Sequence, residues 1–176
     1  MPDIYKPHPS DLWETPPEVF DPLDEIFYFE LDVCAQVSTA KCSTFFTAEQ
    51  DAFRYRWDRP FFMNPPYRNK QHPMEEWMGR AVQDSEAFAV PGLCLVKAAP
   101  ETKWFQTIWK HAQLIVFFRR RIKFHIGGEK RDGARFPNAL AVFGPQQHSS
   151  VGWKLTQFGF VIRSGQRAIL LPEDLR

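Results

Sequence analysis

The sequence predicts a three-layer α/β domain built around a mainly parallel sheet. Two observations carry that prediction. Apolar residues at helical spacing alternate along the chain with short apolar runs that end in turn residues, as expected of strands covered by helices. The composition, 44% hydrophobic with 17 Phe, 6 Trp and 4 Tyr in 176 residues, can fill one core of ordinary domain size, so a single domain over residues 1–176 is expected.

Thr15-Pro16-Pro17-Glu18 opens the first helix. Thr15 is the expected cap, Pro16 suits the first helical position, and Glu18 sits where an acid reaches back to the cap amide. Val19, Phe20, Leu23, Ile26 and Phe27 follow at helical spacing. A strand is expected next, in which Phe27, Phe29, Leu31 and Val33 alternate with Tyr28, Glu30 and Asp32. This puts Asp32 near the strand's carboxyl end, on the face opposite the apolar set. Residues 35–58 are less periodic, with a short helix near Ala35 to Lys41, a strand near Ser43 to Thr47, and Asp51 in the following loop. Phe61, Phe62 and Met63 form a buried strand that the prolines of Asn64-Pro65-Pro66-Tyr67 stop, leaving Asn64 at its carboxyl tip.

Met74, Trp77, Met78, Ala81 and Val82 read as an amphipathic helix before the strand Leu93 to Ala98. The cycle repeats with Trp104, Phe105, Ile108, Trp109 and Ala112 as helix and Leu114 to Phe118 as strand. A basic stretch with three glycines runs from Arg119 to Arg135, and Ala139 to Phe143 is a further strand. The tail has β-like runs at Phe160 to Ile162 and Ala168 to Leu171, split by Ser164-Gly165. Ligands of such sheets bind at the carboxyl ends of the strands, where Asp32 and Asn64 are both expected.

Several function classes drop out. No apolar run approaches the roughly 18 residues that span a bilayer, and Met1 to Ser10 carries Asp3, Lys6, His8 and prolines where a signal peptide needs an apolar core. Neither a membrane span nor a secretion signal is expected. The three cysteines, Cys34, Cys42 and Cys94, form no CxxC pair and read as free thiols. His8, His72, His111, His125 and His148 show no ligand spacing, so no metal is expected. The formal net charge of +1 hides a division: residues 1–60 hold 5 Lys/Arg against 12 Asp/Glu, net −7, and residues 61–176 hold 17 against 9, net +8. An acidic pocket beside a basic binding face fits that split, as do scattered solvated charges.

An ordered set of segments carries a family resemblance. It runs through Trp13-Glu14-Thr15-Pro16, Leu31-Asp32-Val33-Cys34-Ala35, Gln50-Asp51-Ala52, Asn64-Pro65-Pro66-Tyr67, Ala99-Pro100-Glu101-Thr102-Lys103-Trp104-Phe105, Arg121-Ile122-Lys123-Phe124 and Pro137-Asn138-Ala139. The sequence resembles the phage-type DNA N6-adenine methyltransferases, the Dam family of bacteriophages and prophages. The resemblance implies a Rossmann-like S-adenosylmethionine-dependent methyltransferase fold and methyl transfer to a flipped adenine in double-stranded DNA, in the cytoplasm of a bacterial host.

By the same resemblance, the Asn64 side-chain oxygen and the Pro65 carbonyl accept hydrogen bonds from the adenine amine. Pro66 stiffens the turn and Tyr67 stacks on the base. Trp13, Thr15, Pro16, Asp32, Ala35 and Asp51 are the implied cofactor residues. A helix N-terminus near Thr15 independently favours an anion such as the methionine carboxylate. Arg119, Arg120, Arg121, Lys123, Lys130, Arg131 and Arg135 are the expected DNA contacts, whose phosphate neutralisation makes binding fall with salt.

Blander roles fit some of these residues too. Asp32 suits an N-cap for a helix at Ala35, Asp51 a plain loop carboxylate, Tyr67 a packed aromatic, and the basic stretch a solvated loop. Trp104 and Phe105 read as core. The chain also departs from the usual methyltransferase pattern, because no glycine precedes Gly79 and the Ala35 region must approach the cofactor with small side chains. A methyltransferase core uses most of 176 residues. Target reading then falls to loops 68–73 and 119–136, or to a second subunit, with no separate recognition domain. Transfer to RNA adenine or protein glutamine, and an inactive nucleic-acid-binding relative, are the alternatives.

Overall fold

A computed structural model describes residues 13–67, 69 and 71–163, and the backbone of 168–170. Arg68 and Lys70 of the 68–73 loop, and the Ser164-Gly165 break, lie outside the described residues. The elements are α1 (Pro17–Phe27), β1 (Leu31–Asp32), β2 (Thr44–Phe45), β3 (Phe61–Met63), α2 (Met74–Ala87), β4 (Gly92–Lys97), α3 (Lys103–His111), β5 (Leu114–Phe118), β6 (His125–Ile126), β7 (Glu129–Lys130), β8 (Asn138–Phe143), α4 (Ser149–Leu155), β9 (Gly159–Arg163) and β10 (Ala168–Leu170).

Eight strands form one sheet in the order β10-β9-β5-β8-β4-β3-β1-β2. The β2-β1-β3-β4 half is parallel throughout. The sheet is mainly parallel, as expected, and its reversals fall in the other half: β8 inserts antiparallel between β4 and β5, and β9 and β10 each run antiparallel to their neighbours. Six of the eight strands still share a direction, since two reversals restore β5 and two more restore β10. The physical reason lies in the connection. Parallel neighbours need a crossover, usually a helix, and residues 119–137 contain none.

Three layers follow from the pleat. Phe61 and Met63 of β3, with Cys94 and Val96 of β4, face Trp77, Met78 and Ala81 of α2 and Phe105 and Ile108 of α3. Phe62, Leu93 and Leu95 point the other way, toward Val19, Phe20, Leu23 and Phe27 of α1 and Leu155 of α4. Trp104 and Phe105 are core, as expected, but Trp109 is exposed on the outer side of α3.

Three local readings change. Pro16, not Thr15, is the cap position of α1 and makes no side-chain cap hydrogen bond. The strand expected across Phe27 to Val33 shortens to Leu31–Asp32, because α1 runs through Phe27 and Tyr28 closes it in the left-handed region (φ 52). That break divides the alternating set, so Phe27 and Phe29 pack with α1 while Leu31 and Val33 face α2. Finally, residues 35–41 form turns rather than a helix, and α4 falls in a tail read as β alone.

β1 pairs with β2 on one side and β3 on the other. The chain therefore leaves β1 in one direction and returns on its far side, which opens a crevice at the carboxyl ends of β1 and β3.

Candidate active site

A cavity of about 570 Å³ occupies that crevice. Its size suits a nucleotide-sized ligand. One wall is the turn Val33 to Thr39 with the segment from Phe46 to Ala52; the other holds Asn64, Pro65, Pro66, Tyr67, Phe124, Phe136 and Asn138, with Trp13 and Glu14 across the mouth. The four residues of the Asn-Pro-Pro-Tyr turn are thus brought together with Trp13, Ala35 and Asp51. Thr15, Pro16 and Asp32 stand behind the lining, and the seven basic residues lie exposed outside the cavity.

Asn64 begins where β3 ends, since Pro65 and Pro66 offer no N–H to a ladder. Its Nδ2 donates to the Trp13 carbonyl at 3.3 Å and to Thr15 Oγ1 at 3.4 Å. Tyr67 is fixed at both ends. Its hydroxyl accepts from the Lys97 backbone N–H, and Lys97 Nζ lies 4.2 Å from the ring centroid. The same ammonium lies 4.4 Å from the Phe136 ring, and burial pushes the Tyr67 phenol well above its ordinary range. Trp13 stacks on Phe124 (5.2 Å) and on Phe136 (5.5 Å), which builds an aromatic wall on the same side.

Asp32 ends β1 as expected, but its oxygens are spent inside the protein. Oδ1 accepts from Cys34 N at 3.2 Å and Oδ2 from Lys41 N at 3.0 Å, so the carboxylate staples the cavity turn from behind. Burial raises its pKa to about 6 against those two bonds. Ala35 N donates to the Phe46 carbonyl (3.0 Å), and no non-glycine residue from 33 to 41 has positive φ. Without glycine, this turn still brings its backbone to the cavity. Burial also pushes the Cys34 thiol upward and the Cys42 thiol to about 12; all three cysteines are free.

Asp51 takes the left-handed region (φ 58) and caps the 3-10 turn Ala52–Arg54, accepting from Phe53 N at 3.1 Å. His72 bridges it to α2, with Nε2 3.1 Å from Asp51 and Nδ1 3.0 Å from Glu76, while the imidazole stacks on Phe53 at 3.9 Å. Sequence reasoning missed His72, Trp77, Phe124, Phe136 and Asn138 as cavity residues. Asn138 and Phe124 had a signal, since each lies in one of the resembling segments; Trp77 and Phe136 gave none, because apolar residues read first as core. Asn138 Oδ1 and Trp77 Nε1 are buried without a hydrogen-bond partner among the described residues, and both residues line the cavity.

The basic stretch folds into the β6–β7 hairpin, whose Gly127 (φ 60) and Gly128 (φ 78) make the tight two-residue turn that right-twisted strands require. Glu14 pairs with His125 through both backbone bonds, and Glu14 Oε1 accepts from Gly127 N at 2.7 Å. Lys130 meets Glu18 at 3.1 Å and Arg131 meets Glu129 at 3.4 Å. The backbone N–H of Glu18 at the start of α1, and then that Lys130 contact, hold the Glu18 carboxyl below its ordinary value. Among the described residues, no group of three metal-binding side chains occurs and no helix is long and apolar enough to cross a membrane.

The chain is of the class of three-layer α/β domains with a crevice at the switch point of the sheet, and its Asn-Pro-Pro-Tyr turn lies inside that crevice. Residues 5–148 match the model of the family described as DNA N-6-adenine-methyltransferase (Dam). The chain is also 34% identical over 143 residues to the "DNA N-6-adenine-methyltransferase" of Haemophilus phage HP1 (strain HP1c1), covering 78% of this chain and 80% of that one. It is 34% identical over 66 residues to a protein of Escherichia coli (strain K12) named "Putative methyltransferase YfdM", 33% of this chain and 72% of that one. The chain belongs to the DNA N-6-adenine-methyltransferase (Dam) family, and its activity is methylation of adenine in DNA.

Proposed function

We propose that the chain transfers the methyl group of S-adenosylmethionine to N6 of an adenine flipped out of double-stranded DNA. It does so within one Rossmann-like methyltransferase domain in the host cytoplasm. The carrying observation is the Asn64–Tyr67 turn at the tip of β3, inside the cavity at the switch point. The residues fit the cofactor: the cavity has the right size, and an unpartnered acceptor and donor line it. Ala35 and Asp51 hold the cofactor at the β1–β2 side, Trp13 closes the mouth, and Thr15, Pro16 and Asp32 support these walls from behind. When bound, S-adenosylmethionine would supply the electrophilic methyl, its sulfur–carbon bond breaking as the N6–carbon bond forms, with S-adenosylhomocysteine as leaving group and the N6 proton lost to solvent.

An adenine amine is a poor nucleophile because its lone pair is delocalised into the ring. Asn64 Oδ1 and the Pro65 carbonyl accept its two hydrogens and bias the nitrogen toward the geometry of the methylated product, and Pro66 keeps the turn rigid. Holding the amine in line can be worth about 7 to 11 kcal/mol. Tyr67 offers the base the ring face opposite Lys97, offsetting the few kcal/mol that flipping costs. Arg119, Arg120, Arg121, Lys123, Lys130, Arg131 and Arg135 neutralise phosphates, and the hairpin contributes to reading the target.

The test is radiolabelled methyl transfer to unmethylated DNA, with RNA and protein in parallel. Label should enter DNA and fall by about a hundredfold or more in Asn64→Ala, a loss typical of removing a group that stabilises the reacting centre. Label confined to RNA or protein, or undiminished in Asn64→Ala, overturns the reading.

A further inference from the structure

We propose that Thr15 is a positioning residue for Asn64: the Trp13 carbonyl selects the amide orientation that turns Oδ1 toward the reacting amine, and the Thr15 hydroxyl holds the amide in place in that orientation. This rests on the reading of Asn64 as the catalytic acceptor. A carboxamide has two faces of similar shape and opposite chemistry, and a rotation of half a turn would present a donor to the amine instead of an acceptor. What decides the orientation is the neighbour. The Trp13 carbonyl can only accept, so the Asn64 NH₂ must face it, and Thr15 Oγ1 accepts the second Nδ2 hydrogen. With Nδ2 engaged on that side, Oδ1 is left for the cavity.

The strap that carries both acceptors is itself held in place. Thr15 is 3% exposed. Glu14, between the two acceptors, pairs with His125 through bonds of 2.9 and 3.0 Å, and the Trp13 ring lies against Phe124 and Phe136. Strap, hairpin and catalytic amide thus form one connected structure. Pro16 rather than Thr15 holds the cap position of α1, and the Thr15 hydroxyl meets Asn64 instead.

Thr15→Val keeps the shape and removes the acceptor; Thr15→Ser restores it. In single-turnover methyl transfer at saturating DNA and S-adenosylmethionine, Thr15→Val should lower the rate about tenfold, the worth of one hydrogen bond. The affinities for both ligands should stay within about twofold, and Thr15→Ser should recover most of the rate. Weaker S-adenosylmethionine binding with an unchanged single-turnover rate would make Thr15 a cofactor ligand and overturn the proposal, as would a loss of rate that Thr15→Ser fails to recover. Asn64→Ala measured alongside separates the two readings: if that variant keeps full rate, the catalytic assignment of Asn64 has failed. If it loses rate and Thr15→Val does not, the positioning role alone has failed.

Discussion

Replacing Asp84 by alanine should destabilise the protein by about 3 kcal/mol and loosen one wall of the cavity. Asp84, 4% exposed on α2, accepts from the buried Trp57 N–H at 3.0 Å and from Arg80 Nε at 2.8 Å. Arg80 in turn donates to the Phe53 carbonyl at 3.3 Å and the Tyr55 carbonyl at 2.6 Å, and its guanidinium lies 5.5 Å from the Trp57 ring. The carboxylate therefore clamps residues 53–57, just past Asp51, onto α2. Losing it orphans a buried N–H, at about 1–3 kcal/mol. Breaking a fully buried ion pair costs about 3–5 kcal/mol, but the Arg80 side chain is 22% exposed and keeps two carbonyl acceptors, so only part of that penalty applies. In a 176-residue domain the sum corresponds to a drop in Tm of about 6–12 °C. Differential scanning calorimetry with urea titration measures it. A loss below about 1 kcal/mol would mean that the loop holds its position without the clamp.

Two further outcomes follow from buried polar groups. The Asp32 pKa is raised in the folded protein, so its contribution to stability is full below its ordinary value near 3.8 and is lost as pH rises through about 6. The difference amounts to about 3 kcal/mol. Urea unfolding of wild type and Asp32→Asn between pH 4 and 7 should show the wild type losing stability relative to the variant as pH rises; parallel curves refute this. Asn138→Leu removes a buried acceptor that has no partner among the described residues, so Tm should rise while methyl transfer falls, the exchange expected of a residue kept for its ligand. A lower Tm, or full activity, would show that Asn138 serves packing alone.

The strand stop at Asn64 was legible because proline chemistry is local: a residue without an N–H ends a buried strand whatever surrounds it. The helices α2 and α3 were legible for a similar reason, their apolar faces repeating at the period of the backbone. Strand direction is not local. The apolar run Ala139 to Phe143 reads alike in either direction, and only the lack of a helical period between Phe118 and Asn138 marks β8 as antiparallel. Asp32 shows the same limit at the site. Its place at the end of β1 follows from the pattern, but its partners, Cys34 N and Lys41 N, depend on how a non-periodic turn closes. Thr15 was read as a cap because that is what threonine before proline does locally; its bond to Asn64 spans 49 residues and no sequence spacing encodes it.

The charge division of the sequence takes a different meaning in three dimensions. The acidic first third and basic remainder do not form separate faces, because Glu18 meets Lys130 and Glu14 caps the turn of the β6–β7 hairpin at Gly127 N. Lys130 and Arg131, both among the cations expected on DNA, have carboxylate partners among the described residues. Both pairs are exposed, where an ion pair is worth at most about 1 kcal/mol, so a phosphate can displace either carboxylate at small cost. The Glu14 bonds are of another kind. They hold backbone to backbone and backbone to carboxylate, independent of any phosphate, and they fix the strap that bears on Asn64. The acidic third thus does two separable jobs at the hairpin: Glu18 pairs with one of its cations, and Glu14 keeps the hairpin in register with the strap that bears on Asn64.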